Sequence, residues 1–138
     1  MEYSKYHYIN AIEEDYDEVM KNIYKVANQD LLPIDHINYL ENLKTIFNIE
    51  PDVIYDIGSC CLHWERHARR IWSDAKVYCF DAFDKLEPLY IKNNIHYNIC
   101  CLSNKDNCDV RWYENELNLG GQSYYREKTI HFLKISLL

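Results

Sequence analysis

The chain has 138 residues, of which 48% are hydrophobic and 27% are charged, and its formal net charge is −7. This length suits one domain with one hydrophobic core, and the acidic charge argues against binding to nucleic acid or to anionic membranes. No apolar run approaches the ~20 residues that cross a bilayer, and the polar, acidic N-terminus lacks the features of a secretory or transit signal. The sequence therefore predicts a cytoplasmic protein.

Six cysteines are present, four of them in the adjacent pairs Cys60-Cys61 and Cys100-Cys101. An even number is compatible with disulfides, but neighbouring cysteines rarely bridge each other, and most of the six lie in or beside apolar stretches. There is no Cys-x-x-Cys pair, and His63 and His67 have no cysteine pair at zinc-ligand spacing. We therefore expect buried, reduced thiols and no metal site.

Two amphipathic helices are predicted in the first 50 residues. Apolar residues recur at spacings of three and four from Ile12 to Val26 and again from Ile37 to Phe47. Pro51 ends this region. Residues 1–50 are thus interpreted as an N-terminal helical segment, which belongs to one structural unit with a second part at residues 51–138.

Strands and helices alternate after Pro51. Short, β-branched runs predict three strands, at residues 53–57, 76–81 and 97–102, with helices between them and a fourth, edge strand at 110–113. This order is typical of an α/β fold with a parallel sheet and flanking helices. We expect the strand at 53–57 to be the central one, with the other two as its neighbours.

The clearest functional signal lies between Val53 and Asp81. One strand ends in Asp56-Ile57-Gly58, a helix follows, and the next strand ends in Asp81, 23 residues after Gly58. Gly58 has no Cβ, so a nucleotide-like ligand can approach the backbone beside the free N–H groups of the helix. A carboxylate at Asp81 can accept hydrogen bonds from both ribose hydroxyls. The spacing alone equally fits an ordinary βαβ unit with a turn glycine and a capping aspartate.

The glycine pattern discriminates between cofactors. A dinucleotide site uses G-x-G-x-x-G, so that the pyrophosphate lies on the helix N-terminus. Here Gly58 is followed by Ser59-Cys60-Cys61-Leu62, which makes a poor pyrophosphate site. The pattern therefore disfavours a nicotinamide-dependent oxidoreductase, and a cofactor without phosphates, such as S-adenosylmethionine, suits it better.

Four motifs resemble, in the same order, those of FkbM-type methyltransferases. They are residues 53–64, the first nucleotide-binding motif; residues 77–82, where an acidic residue ends the strand; residues 102–107; and residues 110–113 with 118–123. The resemblance spans roughly residues 51–125. It implies a partial Rossmann-like methyltransferase domain at 51–138 that uses S-adenosylmethionine to O-methylate a sugar or related hydroxyl, with a small-molecule or glycan acceptor.

The resemblance assigns six residues to the cofactor and three to the substrate side. The cofactor residues are Asp56 and Gly58 beside the methionine part, Ser59 in the same turn, Asp81 at the ribose, and Ser103 and Asn104 near the adenine. The substrate-side residues are Gly121, Gln122 and Ser123. No catalytic base is assigned, because methyl transfer chiefly needs donor and acceptor to be held in line.

Two departures from the family pattern matter. Cys60 and Leu62 stand where the family usually has Asn or Gly, and Ser136 stands where a later acidic residue would be. We therefore expect an incomplete sheet, with the apolar segment 130–135 added beside the strand at 53–57, or with a homodimer or partner chain completing the sheet. The alternative function is a non-catalytic, methyltransferase-like remnant that acts as a binding or interaction module.

Overall fold

The computed structural model describes residues 13–107, 109–113 and 119. The helices in these residues are α1 (Glu13–Ala27), α2 (Ile34–Thr45), α3 (His63–Ile71) and α4 (Glu87–Lys92). The strands are β1 (Val53–Ile57), β2 (Lys76–Asp81) and β3 (His96–Ile99), and a short 3-10 helix at Asp84–Leu86 precedes α4.

The three strands form one parallel sheet in the order β1-β2-β3. Val53 of β1 is in register with Lys76 of β2, and Tyr78 of β2 is in register with His96 of β3. Helix α3 connects β1 to β2, and the 3-10 helix with α4 connects β2 to β3, as parallel strands require. The chain therefore has the Rossmann-like α/β arrangement that the sequence predicts, preceded by two helices.

The central strand of the described sheet is β2, so the expectation that Val53–Ile57 would be central was wrong. Both connections move across the sheet in the same direction, and right-handed crossovers that do so place their helices on the same face. Strand β1 would be central only if the connection after β2 had returned across the sheet and placed β3 on the other side of β1. As a result, β1 lies at one edge of the sheet in the part of the chain that the structure describes.

Two strand predictions near the end of the described residues also need correction. Strand β3 covers His96–Ile99 instead of 97–102, since β2 ends at Asp81 and leaves no partner beyond it; Leu102 is exposed. Residues 110–113 form no strand and contribute a single bridge residue, Tyr113. Val110 is exposed, so the apolar alternation in this segment does not face a core.

The helices cover one face of the sheet. Residues of α1 and α2, such as Ile23 and Leu40, belong to the same core as Ile54 of β1 and Cys79 of β2. Ile23 and Cys79 are completely buried. The described part of the N-terminal helical segment therefore shares one core with the sheet.

The opposite face of the described sheet carries exposed apolar and aromatic side chains. Tyr55 is 64% exposed and Ile57 is 68% exposed, whereas Ile54, one position before Tyr55, is buried. The Tyr55 ring centroid lies 5.8 Å from that of Phe80 and 6.0 Å from that of Tyr78. Parallel sheets normally bury both faces, whereas the residues that the structure describes cover only one face of this sheet.

Two matched substitutions test whether the face is open in solution. We expect Ile54→Val to lower the free energy of unfolding by about 1 kcal/mol, because a buried methylene is lost. Ile57→Val should change it by less than about 0.3 kcal/mol, because that side chain already contacts water. Urea unfolding of both variants measures the difference. Equal losses would show that another part of the protein covers this face; the segment 130–135 that is expected beside β1 lies outside the described residues.

Candidate functional site

The turn between β1 and α3 has an unusual backbone. Gly58, Cys60 and Leu62 have φ angles of 80°, 43° and 66°. This left-handed region is natural for glycine and costs other L-residues roughly 1–2 kcal/mol each. A Cβ added to Gly58 would meet no atom within 4 Å. The space beside this glycine is therefore open to a ligand.

The carboxylate of Asp81 holds this turn against the end of β2. The Cys60 N–H donates to Asp81 Oδ2 over 2.8 Å, and the Phe83 N–H donates to Asp81 Oδ1 over 3.0 Å. A carboxylate offers about four acceptor positions, so about two remain for a ligand. Asp81 and Gly58 thus meet at the carboxyl ends of β1 and β2, as the sequence predicts for a ligand crevice.

Ser59 joins the two strands. Its hydroxyl donates to the main-chain oxygen of Asp56 over 2.7 Å and accepts a hydrogen bond from the Phe80 N–H over 3.2 Å. The Ser59 N–H donates to the Phe80 carbonyl, and the residue is buried. Ser59 therefore lies in the predicted turn, but its hydroxyl and N–H groups form hydrogen bonds within the chain that stabilise this turn.

Asp56 is a buried acid in the same turn. It is 8% exposed, and its Oδ2 has no hydrogen-bond partner among the described residues. The pKa of Asp56 is raised to about 6, chiefly by burial and also by the nearby charges of Glu65 and Asp81, whereas Ser59 lowers it. The carboxylate is thus a buried negative charge that lacks a cation.

Glu65 adds a second buried acid at the start of α3. Its side chain is 5% exposed and pairs with Arg69 over 2.5 Å, and burial raises its pKa. Together with Asp56 and Asp81, it places three acidic side chains around the first turn of α3. Arg69 offsets the charge of Glu65, so an anion at this turn would be opposed chiefly by Asp56 and Asp81.

The loop after β3 begins at the same edge of the sheet. The Cys100 N–H donates to the main-chain oxygen of Asp81 over 2.8 Å, which ties the start of the loop to the end of β2. Ser103 and Asn104 are exposed in this loop, and the Ser103 hydroxyl forms hydrogen bonds with the Lys105 main chain. The predicted substrate-side residues, 121–123, lie outside the described residues.

Tyr90 is a part of the site that the sequence did not indicate. It is completely buried, and its hydroxyl donates to the Cys60 main-chain oxygen over 2.9 Å. Helix α4 therefore holds the carbonyl of the same residue whose N–H donates to Asp81. No spacing distinguishes such a tyrosine from an ordinary core aromatic, so this contact becomes visible only in the fold.

The five cysteines that the structure describes are free thiols; Cys61 and Cys79 are buried as predicted, whereas Cys60, Cys100 and Cys101 are half-buried. Cys60 Sγ lies 3.9 Å from Cys61 Sγ and 3.6 Å from the Leu119 main-chain oxygen. Cys61 and Cys79 are buried, and burial raises the pKa of Cys79 to about 12. These thiols pack as small apolar groups.

Both histidines of α3 join that helix to the end of α1. His63 Nε2 lies 2.9 Å from the Val26 main-chain oxygen, and His67 Nε2 lies 3.0 Å from each carboxylate oxygen of Asp30. The hydrogen bond with His67 lowers the pKa of Asp30. These contacts give the two histidines a structural role, since each connects α3 to the chain at or just after the end of α1.

Comparisons of the chain with protein-family models, with curated proteins and with solved structures find no match. None of the helices in the described residues is both long enough and apolar enough to cross a membrane.

Proposed function

We propose that the crevice at the carboxyl ends of β1 and β2 binds S-adenosylmethionine, and that the protein is a methyltransferase of the FkbM type acting on a hydroxyl of a sugar or related molecule. The main support is the 2.8 Å hydrogen bond between Cys60 N–H and Asp81 Oδ2. It holds an acidic side chain, with acceptor positions to spare, directly against a glycine turn that leaves room for a ligand. Ribose hydroxyls are donors that fit those positions.

The conformation of the turn supports the same proposal. Cys60 and Leu62 both have positive φ angles, and they stand where the methyltransferase resemblance expects Asn or Gly. Asn and Gly are the residues that adopt this conformation most readily. The backbone thus has the shape that the motif needs, although the side chains differ from it.

The charges around the turn favour a cationic cofactor over a dinucleotide. Asp56 and Asp81 would repel a pyrophosphate, because like charges in a partly buried site interact strongly, whereas the charge of Glu65 is offset by Arg69. An amino group near Asp56 Oδ2 would instead supply the partner that this buried oxygen lacks. The methionine part of S-adenosylmethionine carries such a group, and its sulfonium adds a second positive charge.

S-adenosylmethionine, when bound, supplies a methyl group activated by the sulfonium. The chain's own residues would bind and orient the cofactor. Asp81 would accept hydrogen bonds from the ribose hydroxyls, Gly58 would permit close approach to the backbone, and Asp56 would border the methionine part. Ser103 and Asn104 are the residues that the resemblance places near the adenine. Holding donor and acceptor in line is the larger share of the catalysis, and a base for the acceptor hydroxyl need not be strong.

Calorimetry with S-adenosylhomocysteine tests the cofactor directly. We expect one molecule to bind per chain, and we expect no binding of NADH at the same concentrations, because its pyrophosphate meets the carboxylates of Asp56 and Asp81. NADH binding without S-adenosylhomocysteine binding would support the oxidoreductase alternative. Failure of both ligands would leave the binding module as the better hypothesis.

The open face of the sheet favours a second candidate function, a non-catalytic interaction module. Tyr55 and Ile57 expose the apolar surface that such a module would use. Methyl transfer from labelled S-adenosylmethionine to a panel of sugars and glycans separates the two functions. Turnover near the typical ~10 per second would establish a complete enzyme, whereas cofactor binding without turnover would favour the module.

A further inference from the structure

A second cavity lies on the helical side of the molecule. It has a volume of about 400 Å³ and is enclosed by the end of α1, by α3 and by α4. Cys61, Leu62, Leu89 and Ile95 are buried apolar residues of its lining, and Tyr24 adds an aromatic ring. This volume is within the range of small-molecule sites, so the cavity can accept the body of a small ligand.

Positive charges surround this cavity in an otherwise acidic chain. Its lining includes four cationic side chains and a single carboxylate, that of Glu65. The cations are Arg66, Arg69, Arg70 and Lys92. The whole chain has a formal charge of −7, so this cluster of positive charge contrasts with the net negative charge of the protein. A cavity with this lining attracts anions.

The arginines are oriented but keep donors for a ligand. Arg66 donates to the Ala27 main-chain oxygen over 2.5 Å, Arg69 pairs with Glu65, and Arg70 pairs with Glu41 over 2.8 Å. Each guanidinium has five N–H donors, and each of these contacts uses only part of them. The existing contacts therefore hold the guanidinium groups in place while leaving N–H groups for an anion.

The lysine is held in a similar way. Lys92 Nζ lies 4.6 Å from the centre of the Tyr24 ring, an attractive cation–π geometry that keeps its charge at the cavity. Guanidinium and ammonium groups together suit a phosphate, since arginine forks match its oxygens and lysine adds a point charge. A dianionic phosphate also matches the excess of cations better than a single carboxylate does.

We propose that this cavity binds a small phosphorylated molecule, whose phosphate contacts Arg66, Lys92 and their cationic neighbours while an apolar or aromatic body packs on Leu89, Ile95 and Tyr24. The site is separate from the cofactor crevice and does not depend on the proposed function. Cys61 and Leu62 lie between the two, as they line the cavity and belong to the turn that ends beside Asp81.

Phenyl phosphate is a suitable probe, because it joins a phosphate to an apolar ring. We expect it to bind the intact chain with a dissociation constant below about 1 mM, measured by NMR titration with chemical-shift changes at Tyr24, Leu89 and Ile95. Inorganic phosphate should bind more weakly, because it lacks the ring. Binding should weaken as salt rises.

Two variants distinguish binding at this cavity from a non-specific attraction of anions to the protein. The double variant Arg66→Gln, Lys92→Gln should bind phenyl phosphate at least about tenfold more weakly, whereas Lys76→Gln, an exposed lysine at the start of β2, should bind it normally. Arg69 is left unchanged, since its loss would leave Glu65 buried without a partner. Circular dichroism and thermal unfolding confirm that the double variant is folded.

Three results would overturn the proposal. One is the absence of shift changes at the cavity residues at millimolar phenyl phosphate. Another is an equal loss of binding in Lys76→Gln, which would indicate a diffuse charge effect. The third is displacement of phenyl phosphate by S-adenosylhomocysteine, which would place the probe in the cofactor crevice. Equal affinity for inorganic phosphate would remove the apolar body from the proposal.

Discussion

Asp81→Asn should weaken the binding of S-adenosylhomocysteine by at least about tenfold and should also destabilise the fold. The asparagine loses the charge that two ribose hydroxyls would share, and a hydrogen bond to a charged group contributes roughly 1.5–3 kcal/mol. Inside the chain, the N–H groups of Cys60 and Phe83 each donate to one carboxylate oxygen. The amide keeps only one acceptor oxygen, so one of these N–H groups would face an NH2 donor. We expect a loss of about 2 kcal/mol in the free energy of unfolding.

The measurements are calorimetry with S-adenosylhomocysteine and urea unfolding, both below the melting temperature of the variant. Asp74→Asn is a matched control, because Asp74 is an exposed residue just before β2, at the opposite end of that strand. Asp81→Glu keeps the charge but lengthens the side chain. Normal cofactor binding by folded Asp81→Asn protein would remove Asp81 from the site, and normal stability would contradict its role in holding the turn.

Local patterns predicted most of the elements of this fold. The β-branched run at Val53–Ile57, bounded by Pro51 and Gly58, forms the expected strand, and Pro88 lies in the first turn of α4, where proline is tolerated. These signals act within a few residues of sequence. The order of the strands has no such local signal, because it depends on the direction in which successive connections cross the sheet. This is why β2 took the central position that the sequence analysis gave to β1.

The residues of the candidate site also fall into two groups, those that the sequence predicts and those that depend on tertiary packing. Gly58 and Asp81 could be found from sequence because their roles follow from position, one at the turn and one at the end of the next strand. Tyr90 could not, since its hydrogen bond to the Cys60 main chain depends on how α4 packs. Glu65 could not be found either, because an acid in the first turn of a helix is an ordinary feature. Its burial and its effect on Asp56 arise from tertiary packing.

The open face of the sheet also has its origin in packing. The alternation of β1 places Ile54 and Asp56 toward the helices and Tyr55 and Ile57 away from them. Four of the five residues of β1 are apolar or aromatic, a composition that predicts a strand buried on both faces. The described residues cover only one of them, so the sequence pattern indicates that a further layer belongs on the other face.

Asp56→Asn should change how stability depends on pH. The pKa of Asp56 is about 6 in the folded chain, above its usual 3.8, so the folded state binds this proton more tightly than the unfolded state does. Stabilisation by the proton is complete below about pH 4 and is lost as pH rises through 6. A shift of about two pKa units corresponds to about 3 kcal/mol. The asparagine cannot ionise, so its stability relative to the native protein should rise between pH 4 and pH 6 and then level off.

Urea unfolding at pH 4, 5, 6, 7 and 8 measures this difference. Asp52→Asn is the control, because Asp52 is exposed just before β1. Comparing the native and Asp56→Asn proteins cancels most of the effect of Asp30 on the pH dependence of stability. The pKa of Asp30 is lowered, so its effect has the opposite sign. Parallel stability curves for the native and Asp56→Asn proteins would show that Asp56 does not titrate in this range.

The same titration should be coupled to cofactor binding if an amino group of the ligand lies beside Asp56. A cation there favours the ionised carboxylate, so binding releases a proton while Asp56 is still protonated in the free chain. The affinity for S-adenosylhomocysteine should therefore rise by up to about tenfold per pH unit below pH 6 and become constant above pH 7. In Asp56→Asn, the affinity should be nearly independent of pH over this interval, although it should be lower at pH 7 because the ion pair is missing. Calorimetry between pH 5 and pH 8 distinguishes these cases. A pH-independent affinity in the native protein would mean that the buried Asp56 Oδ2 does not receive the ligand's amino group, and that the methionine part lies elsewhere along the turn.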